Sequence, residues 1–181
     1  IRYIERFIEG FKRHIYKNVR LTCSVGIGFN KVSAKIASDI NKPNSYFIFH
    51  NREHFLEYIM DKDLAIIPGI GKKTRELLGL FNIKKVFELY KIEKKELVKK
   101  FGSNRGEYLY NVIRGEQFSE IDKNRKRHSY CPEVTFSQSM NDINALEEEL
   151  KEQSEKLSYR LMEYKEFAKT VTLKIRYANF L

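Results

Sequence analysis

The sequence predicts an α+β protein in three zones: a partial α/β domain, a small all-helical module and a second partial α/β domain. Three observations support this fold class. Residues 21–49 follow the pattern strand, helix, strand, whereas residues 50–115 carry helical periodicity with few β-branched runs. Residues 130–177 place a long amphipathic stretch between two alternating segments. Polar segments join the three zones.

The first zone opens with a predicted helix over residues 1–18, where apolar side chains recur at helical spacing between basic residues. Residues 21–28 alternate between apolar and small or polar side chains, which predicts a strand. Asn30 can cap a helix over residues 32–40, and Tyr46–Phe49 is predicted as a second strand. Because strand, helix and strand in this order form a crossover unit, the two strands are expected to be parallel neighbours.

The remaining zones are predicted from the same periodicities. A polar and basic segment at residues 121–127 is typical of a linker between domains. Beyond it, Tyr130–Phe136 is predicted as a strand, Leu146–Phe167 as a long amphipathic helix and Val171–Tyr177 as a further strand. The predicted helices of the middle zone are Glu53–Met60, Lys73–Leu80, Val86–Leu89, Lys94–Phe101 and Arg105–Arg114.

The balance of charges indicates an anionic partner. Of the 181 residues, 34 are lysine or arginine and 24 are aspartate or glutamate, which gives a net charge of +10. A basic surface attracts polyphosphates, but composition alone does not separate DNA from RNA or from an anionic lipid surface.

Other classes are disfavoured by what the sequence lacks. The two cysteines, Cys23 and Cys131, have no CxxC spacing, which argues against a disulfide framework and against a zinc site. The sequence has no apolar run of membrane-spanning length and no secretion signal, so it predicts a cytoplasmic protein with no membrane partner.

The strongest local motif is the segment Ile67–Thr74, which has the form of a helix-hairpin-helix with two glycines in the turn. Glycines let the backbone turn sharply and approach a phosphate within hydrogen-bonding distance. The first amides of the following helix are unsatisfied and lie at the positive end of its dipole, where lysines and a threonine hydroxyl add further donors. The alternative is an ordinary turn between packed helices. The candidate DNA-binding residues of this segment are Gly69, Ile70, Gly71, Lys72, Lys73 and Thr74.

Two other glycine-containing turns are less specific. Phe101–Gly106 precedes a helix and places Arg105 near its start, where a second phosphate contact and a purely structural corner are both open. Gly26–Lys42 contains Gly-x-Gly after a strand, but it lacks the third glycine of a dinucleotide fingerprint and the Gly-Lys-Ser/Thr of a P-loop. Its lysines either surround a triphosphate or are solvated surface charges.

Several motifs in one order resemble the Y family of translesion DNA polymerases. Residues 21–44, which end in Asn41-Lys42-Pro43-Asn44, resemble the second half of that family's palm domain. The Ile67–Gly71 hairpin, Phe101-Gly102 and a helix ending in Arg114-Gly115-Glu116 follow as in its thumb, and a little finger is expected to start at Ser129. The resemblance covers nearly the whole chain.

This resemblance implies roles for particular residues. Lys42 matches a palm lysine that contacts the triphosphate of the incoming deoxynucleotide (dNTP), and Gly69, Ile70 and Gly71 match the thumb loop whose amides hold a primer-strand phosphate. Carbonyl groups around Ala65 and Ile70 match the place where such thumbs bind a structural metal cation. A tether charged only for solubility is the alternative to a tether that contacts primer–template DNA. The tether candidates are Lys123, Arg125, Lys126 and Arg127.

On this resemblance the chain comprises part of a palm at residues 1–50, a thumb at 51–120, a basic linker at 121–128 and part of a little finger at 129–181. The parent is expected to be a Mg²⁺-dependent DNA polymerase that joins a dNTP to a primer 3′-hydroxyl. The family's metal-binding carboxylates are not matched here, so the chain is interpreted as a fragment that binds DNA without catalysing synthesis. A sliding clamp is a further candidate partner, through a region beyond residue 181.

Two other functions remain open from the sequence. A non-enzymatic DNA-binding module of a repair protein would account for the charge and for the Gly69–Gly71 turn, but not for residues 41–44 or for the order of the zones. An α/β enzyme acting on a small nucleotide, centred on residues 26–42, would need a base or carboxylate near that turn. Only Asp39 lies there, and an exposed helix position is the simpler interpretation of it.

Overall fold

The computed structural model of this chain describes residues 2–123 and 127–177. The chain divides into two compact units, Ile1–Ile121 and Asp122–Leu181, which are described separately below.

The first unit begins with the predicted crossover. Helix α1 (Arg2–Val19) leads into strand β1 (Val25–Ile27), helix α2 (Lys31–Asp39) and strand β2 (Tyr46–Ile48). The two strands pair in parallel, with Val25 opposite Tyr46 and Ile27 opposite Ile48, which confirms the predicted pairing. Strand β1 is shorter than predicted, because only three of its residues have partners on β2.

Helix α2 begins where its cap was predicted. The Oδ1 atom of Asn30 accepts from the amide of Ser33 at 2.8 Å, and the Ser33 hydroxyl accepts from the Asn30 amide at 3.1 Å, so the two residues form a capping box. The helix lies directly against β1, since a Cβ atom on Gly26 would stand 2.1 Å from the Ala34 carbonyl oxygen. Glycine is therefore required at position 26 by the close approach of helix and strand.

The helical module follows the prediction closely. Helix α6 has the predicted bounds, α5 starts as predicted and ends one residue later, and the other helices differ from their predicted bounds by one or two residues at each end. The element before the hairpin turn is a short 3-10 helix, Leu64–Ile66. The α-helices of the module are α3 (Arg52–Ile59), α4 (Lys72–Gly79), α5 (Val86–Tyr90), α6 (Lys94–Phe101) and α7 (Ser103–Val112).

One hydrophobic core joins the crossover to the helical module. It runs from Val32 on α2 through Phe55 on α3 to Ile113 after α7, and all three side chains are buried. Phe55 sits at the junction, with its ring 5.7 Å from that of Phe29 and 5.4 Å from that of Phe49, both in edge-to-face geometry. The residues predicted to be palm and those predicted to be thumb thus share one core in this chain.

The second unit contains helix α8 (Ile143–Tyr164), which starts and ends three residues before its predicted bounds. Asp142 sets the start, because its Oδ1 atom accepts from the Asn144 amide at 2.9 Å. Lys165 sets the end by adopting a left-handed conformation with φ of 53°, which turns the chain out of the helix.

The two strands predicted in the second unit are wrong. Within residues 127–177 neither Tyr130–Phe136 nor Val171–Tyr177 forms a strand. A strand needs a neighbouring backbone to complete its hydrogen bonds. These two segments instead contact each other through a side-chain ion pair, Arg176 with Glu133 at 3.4 Å. The apolar side chains of the second segment are accordingly exposed, Val171 to 86%.

Candidate nucleic-acid interface

The hairpin motif is held in place from both sides. Asp63 caps the short 3-10 helix, since its Oδ1 atom accepts from the Ala65 amide at 2.7 Å. The Leu64 amide donates to the Lys84 carbonyl at 3.0 Å, and the Val86 amide donates to the Lys62 carbonyl at 3.0 Å. These bonds fix the approach to the turn from the start of α5.

Tyr108, on α7, supports the turn with its hydroxyl and its ring. Its hydroxyl donates to the Pro68 carbonyl, and its ring covers Gly69, where an added Cβ atom would stand 2.7 Å from the hydroxyl oxygen. Gly69 has a φ of +85°, so both its backbone and its surroundings require glycine. Burial raises the pKa of the Tyr108 phenol, which keeps the hydroxyl protonated as a donor. Tyr108 was not predicted as part of the motif, because it lies 40 residues from Pro68 in the sequence.

The start of α4 is open to solvent. Gly71 is its N-cap residue, has an extended backbone (φ −77°, ψ −179°) and supplies no side chain to cap the helix. An added Cβ atom at Gly71 would have no atom within 4 Å, so the space in front of these amides is free in the part of the chain that the structure describes. Lys72 and Lys73 are exposed beside it. The arrangement brings unsatisfied amides and two cations to one accessible point.

Two members of the predicted set are placed differently from the rest. The Ile70 amide already donates to the Ile67 carbonyl at 3.1 Å, inside the turn. Thr74 is buried, at 9% exposure, so its hydroxyl is not an exposed donor. The accessible donors of the hairpin are therefore main-chain amides and the two lysines.

The carbonyl groups considered for a metal cation lie on either side of the turn. Ala65 belongs to the 3-10 helix, whereas Ile70 is buried just before α4. Among the main-chain hydrogen bonds of the described residues, none has the carbonyl oxygen of Ala65 or Ile70 as its acceptor. Both oxygens thus retain the lone pairs that a hard cation needs.

The second glycine turn is a structural corner. Gly102 has a φ of +80° and both ends α6 and begins α7. Gly106 lets the two helices touch, because a Cβ atom there would stand 2.5 Å from the Val98 backbone nitrogen. Arg105 lies exposed on the first turn of α7, and whether it also contacts a phosphate stays a prediction.

Lys42 lies in the turn between α2 and β2, apart from the hairpin. Its ammonium contacts one oxygen of Asp39, and Lys35 contacts the other at 2.6 Å, with all three side chains about half exposed. The hydrogen bonds from Lys35 and then Lys42 lower the pKa of Asp39 below its usual range. The carboxylate thus holds two ammonium groups close together at the surface of the first unit.

The tether residues are only partly described. Lys123 is exposed, and Arg127 lies with its guanidinium carbon 5.5 Å from the centre of the Tyr164 ring and 5.9 Å from that of Tyr130. The two tyrosine rings stack at 5.6 Å, so Arg127 belongs to a small cation–π cluster in the second unit. Arg125 and Lys126 lie outside the described residues.

Within residues 2–123 and 127–177 there is no group of three or more His, Cys, Asp or Glu residues that could hold a metal ion. No Mg²⁺ ligand is therefore assigned among these residues. No helix in the same residues has the length and apolar character needed to cross a membrane.

Sequence profiles of known families match three successive parts of the chain. The profile described as the impB/mucB/samB family matches residues 4–39, and the profile of its C-terminal domain matches residues 127–181. Between them, the thumb domain of DNA polymerase iota matches residues 65–117, which contain the hairpin.

Similar proteins carry the name DNA polymerase IV. The relative from Fusobacterium nucleatum is 44% identical over 174 residues, which are 96% of this chain and 50% of the relative. A relative from Staphylococcus epidermidis is 37% identical over 91% of this chain and 46% of its own length. A solved structure, a Y-family DNA polymerase chimera, superposes with a TM-score of 0.69 at 24% identity, covering 85% of this chain and 44% of that chain.

These matches decide the family. The chain belongs to the Y family of DNA polymerases. It spans about half the length of the curated relatives it matches. An independent helix-hairpin-helix accessory module is not favoured, because the matches extend on both sides of the hairpin.

Proposed function

We propose that this chain is the DNA-holding part of a template-directed translesion DNA polymerase. The complete enzyme would transfer a nucleotidyl group from a dNTP to the 3′-hydroxyl of a primer. The relatives named DNA polymerase IV and the family membership support this activity. The chain's own contribution is to hold the sugar-phosphate backbone of primer–template DNA.

The observation that carries the proposal is the open start of α4. Amides without a capping side chain attract anions, and here the space in front of them is free and flanked by Lys72 and Lys73. A phosphate oxygen in that space would accept from the amides of Gly71 and the first turn of the helix. Contacts to the backbone alone suit an enzyme that must accept any template sequence.

Lys42 is proposed to contact the dNTP triphosphate. It is exposed, and its partner Asp39 also holds Lys35, so a second ammonium stands beside it. Each ammonium has three protons and offers at most one to a given carboxylate oxygen, which leaves donors for phosphate oxygens. The Mg²⁺ ions of phosphoryl transfer, when bound, would activate the primer hydroxyl and stabilise the leaving oxygens.

Other parts of the proposal concern the surroundings of the site. The carbonyl oxygens of Ala65 and Ile70 would help to bind a hard cation that supports the turn. Arg105 would add a second phosphate contact, and the tether would follow the duplex. A cytoplasmic location and a sliding-clamp partner are proposed for the longer protein, with no residue of this chain assigned to the clamp. The proposed tether contacts are Lys123, Arg125, Lys126 and Arg127.

Fluorescence anisotropy with labelled primer–template DNA tests the hairpin directly. Gly71→Val places a branched side chain where the phosphate would sit, with its Cβ atom at least 4 Å from any described atom beyond the neighbouring residues, and should weaken binding about tenfold or more by removing a charge-assisted contact. Gly79→Val is the matched control, since Gly79 ends the same helix and also has no atom within 4 Å of an added Cβ. Equal affinities of the two variants would contradict the proposal.

A further inference from the structure

A group of polar contacts ties the end of the predicted thumb to the start of α2. Asn30 Nδ2 donates to the Gly115 carbonyl at 2.9 Å, and the Lys31 ammonium donates to the Glu120 carbonyl. From the start of α3, Arg52 Nε donates to the Arg114 carbonyl at 2.6 Å. We name these three donors and their acceptors the junction latch.

Two of the three acceptors of the latch, the carbonyls of Arg114 and Gly115, lie just beyond the C-terminal end of α7. After α7 the chain turns at Gly115, with a φ of +69°, and the Glu116 amide closes back on the Asn111 carbonyl at 2.9 Å. The carbonyls of Arg114 and Gly115 then point away from the helix, with the partial negative charge of its C-terminal end. Cationic and amide donors from α2 and α3 therefore meet them with favourable electrostatics.

Arg52 and the aromatic residues complete the junction. The Nη2 atom of Arg52 contacts the Glu116 carboxylate at 2.6 Å. The Arg52 side chain therefore binds both the Arg114 carbonyl and the Glu116 carboxylate. Gly115 packs against Phe29 and Phe55, since an added Cβ atom would stand 3.1 Å from the Phe29 ring. The polar latch thus surrounds an apolar contact between the same two parts.

We propose that Asn30 is a positioning residue that locks the thumb hairpin and the Lys42 turn into one rigid arrangement, and that Arg52 supports it inside the predicted thumb by holding the segment that carries the Gly115 acceptor. Asn30 does this with both halves of its amide. Its oxygen caps α2, the helix that leads directly to Lys42, while its nitrogen holds the end of α7, the helix whose Tyr108 supports the hairpin. A single side chain thereby connects the two elements proposed to bind one primer–template and its dNTP.

The expected effect on DNA affinity rests on the proposed function, whereas the expected loosening of the thumb against the palm does not. If the hairpin and the palm turn bind the same DNA, a thumb that is held less firmly against the palm must be ordered on binding, and affinity falls. Loss of one latch hydrogen bond should weaken DNA binding about two- to tenfold, the range that the net strength of one such bond allows.

The chain offers a matched pair of substitutions for the test. Asn30 and Asn51 are both N-cap residues whose Oδ1 atom accepts from the third helical amide at 2.8 Å. In the described part of the chain, only Asn30 also donates its Nδ2 across the junction. Asn30→Asp and Asn51→Asp therefore keep the same cap and introduce the same charge, but only the first breaks the latch.

The experiment measures spin-label distances between α1 and α6. Labels are placed at the exposed positions Lys17→Cys and Lys95→Cys, after both native cysteines are replaced by serine. The native latch and Asn51→Asp should give a narrow distance distribution, and Asn30→Asp a broad one. A distribution for Asn30→Asp as narrow as that for Asn51→Asp would overturn the proposal.

A second variant and a second readout keep the outcomes separate. Arg52→Gln leaves the caps unchanged but releases the segment Arg114–Glu116, which carries the Gly115 acceptor of Asn30, and should broaden the distribution if Asn30→Asp fails to fold. Narrow distributions for whichever of these variants folds reject the latch. Failure of the proposed function shows itself elsewhere, as DNA affinity that Gly71→Val leaves unchanged.

Discussion

Gly69 and Gly71 stand two residues apart in the hairpin and are glycines for different reasons. Gly69 has a positive φ and lies under Tyr108, so it is required by the fold. Gly71 has an extended backbone that any residue can adopt, and nothing in the described structure fills the space of its missing side chain. The space beside Gly71 is therefore open to a ligand that approaches the first amides of α4 from outside.

Asp39 supports a prediction about pH. Its pKa is lowered by Lys35 and Lys42, so its contribution to stability is present above its ordinary value of 3.8 and is lost as the pH falls through the lower folded value. Because the pair is half exposed, the contribution should be roughly 0.5 kcal/mol or less.

Urea denaturation of Asp39→Asn measures this contribution. The variant should be slightly less stable than the native sequence at pH 7, and the difference should shrink as the pH is lowered to about 2 and the native carboxyl takes up its proton. A difference of the same size at both pH values would show that the loss is not electrostatic.

At the scale of single elements, the contact of α6 with α7 supports a second prediction. Gly106→Ala places a Cβ atom against the Val98 backbone, which cannot move aside as a side chain would, and should lower the free energy of unfolding by about 1–3 kcal/mol. Gly10→Ala, on the exposed α1, meets no atom within 4 Å and should instead raise it by roughly 0.5–1 kcal/mol.

Thermal denaturation of the two alanine variants gives the sign directly. The same chemical change should shift Tm in opposite directions, because Gly106 is required by helix packing and Gly10 is not. Two shifts of the same sign would mean that α6 and α7 do not approach as closely as described.

Helices were predictable from the sequence because their signals are local. The capping residue Asn30 predicted the start of α2, and the helical periodicity predicted the bounds of α6. Strands depend on a partner elsewhere in the chain, so alternation at Val171–Tyr177 predicted a ladder that is not formed. An alternating pattern states which face is apolar, but not whether a neighbouring strand is present.

In the candidate site, too, the residues that are contiguous in sequence were predictable and the long-range contacts were not. The hairpin glycines and lysines are contiguous in sequence, and a motif therefore identifies them. Tyr108 and the bond from Asn30 to Gly115 join residues 40 and 85 positions apart, and no local pattern encodes such pairs. The burial of Thr74 was missed for a related reason, since its neighbours come from other elements.

For the whole molecule, the division into two units supports a third prediction. Every buried apolar side chain of the described chain lies between Ile8 and Ile113, so the first unit contains the core and the described part of the second has no buried apolar residue. A shortened chain of residues 1–121 should therefore keep a cooperative unfolding transition with the same midpoint, as measured by circular dichroism. Loss of that transition would show that the second unit is needed for folding.

The salt dependence of DNA binding tests whether the hairpin holds DNA phosphates. Each phosphate neutralised by a cation contributes about −0.9 to the slope of log K against log salt concentration. Lys72→Gln with Lys73→Gln should reduce the magnitude of the slope by about two. The control, Lys91→Gln with Lys95→Gln, removes the same charge from two exposed positions, the C-cap of α5 and the first turn of α6, and should leave the slope unchanged. Equal slopes for the two double variants would contradict the claim.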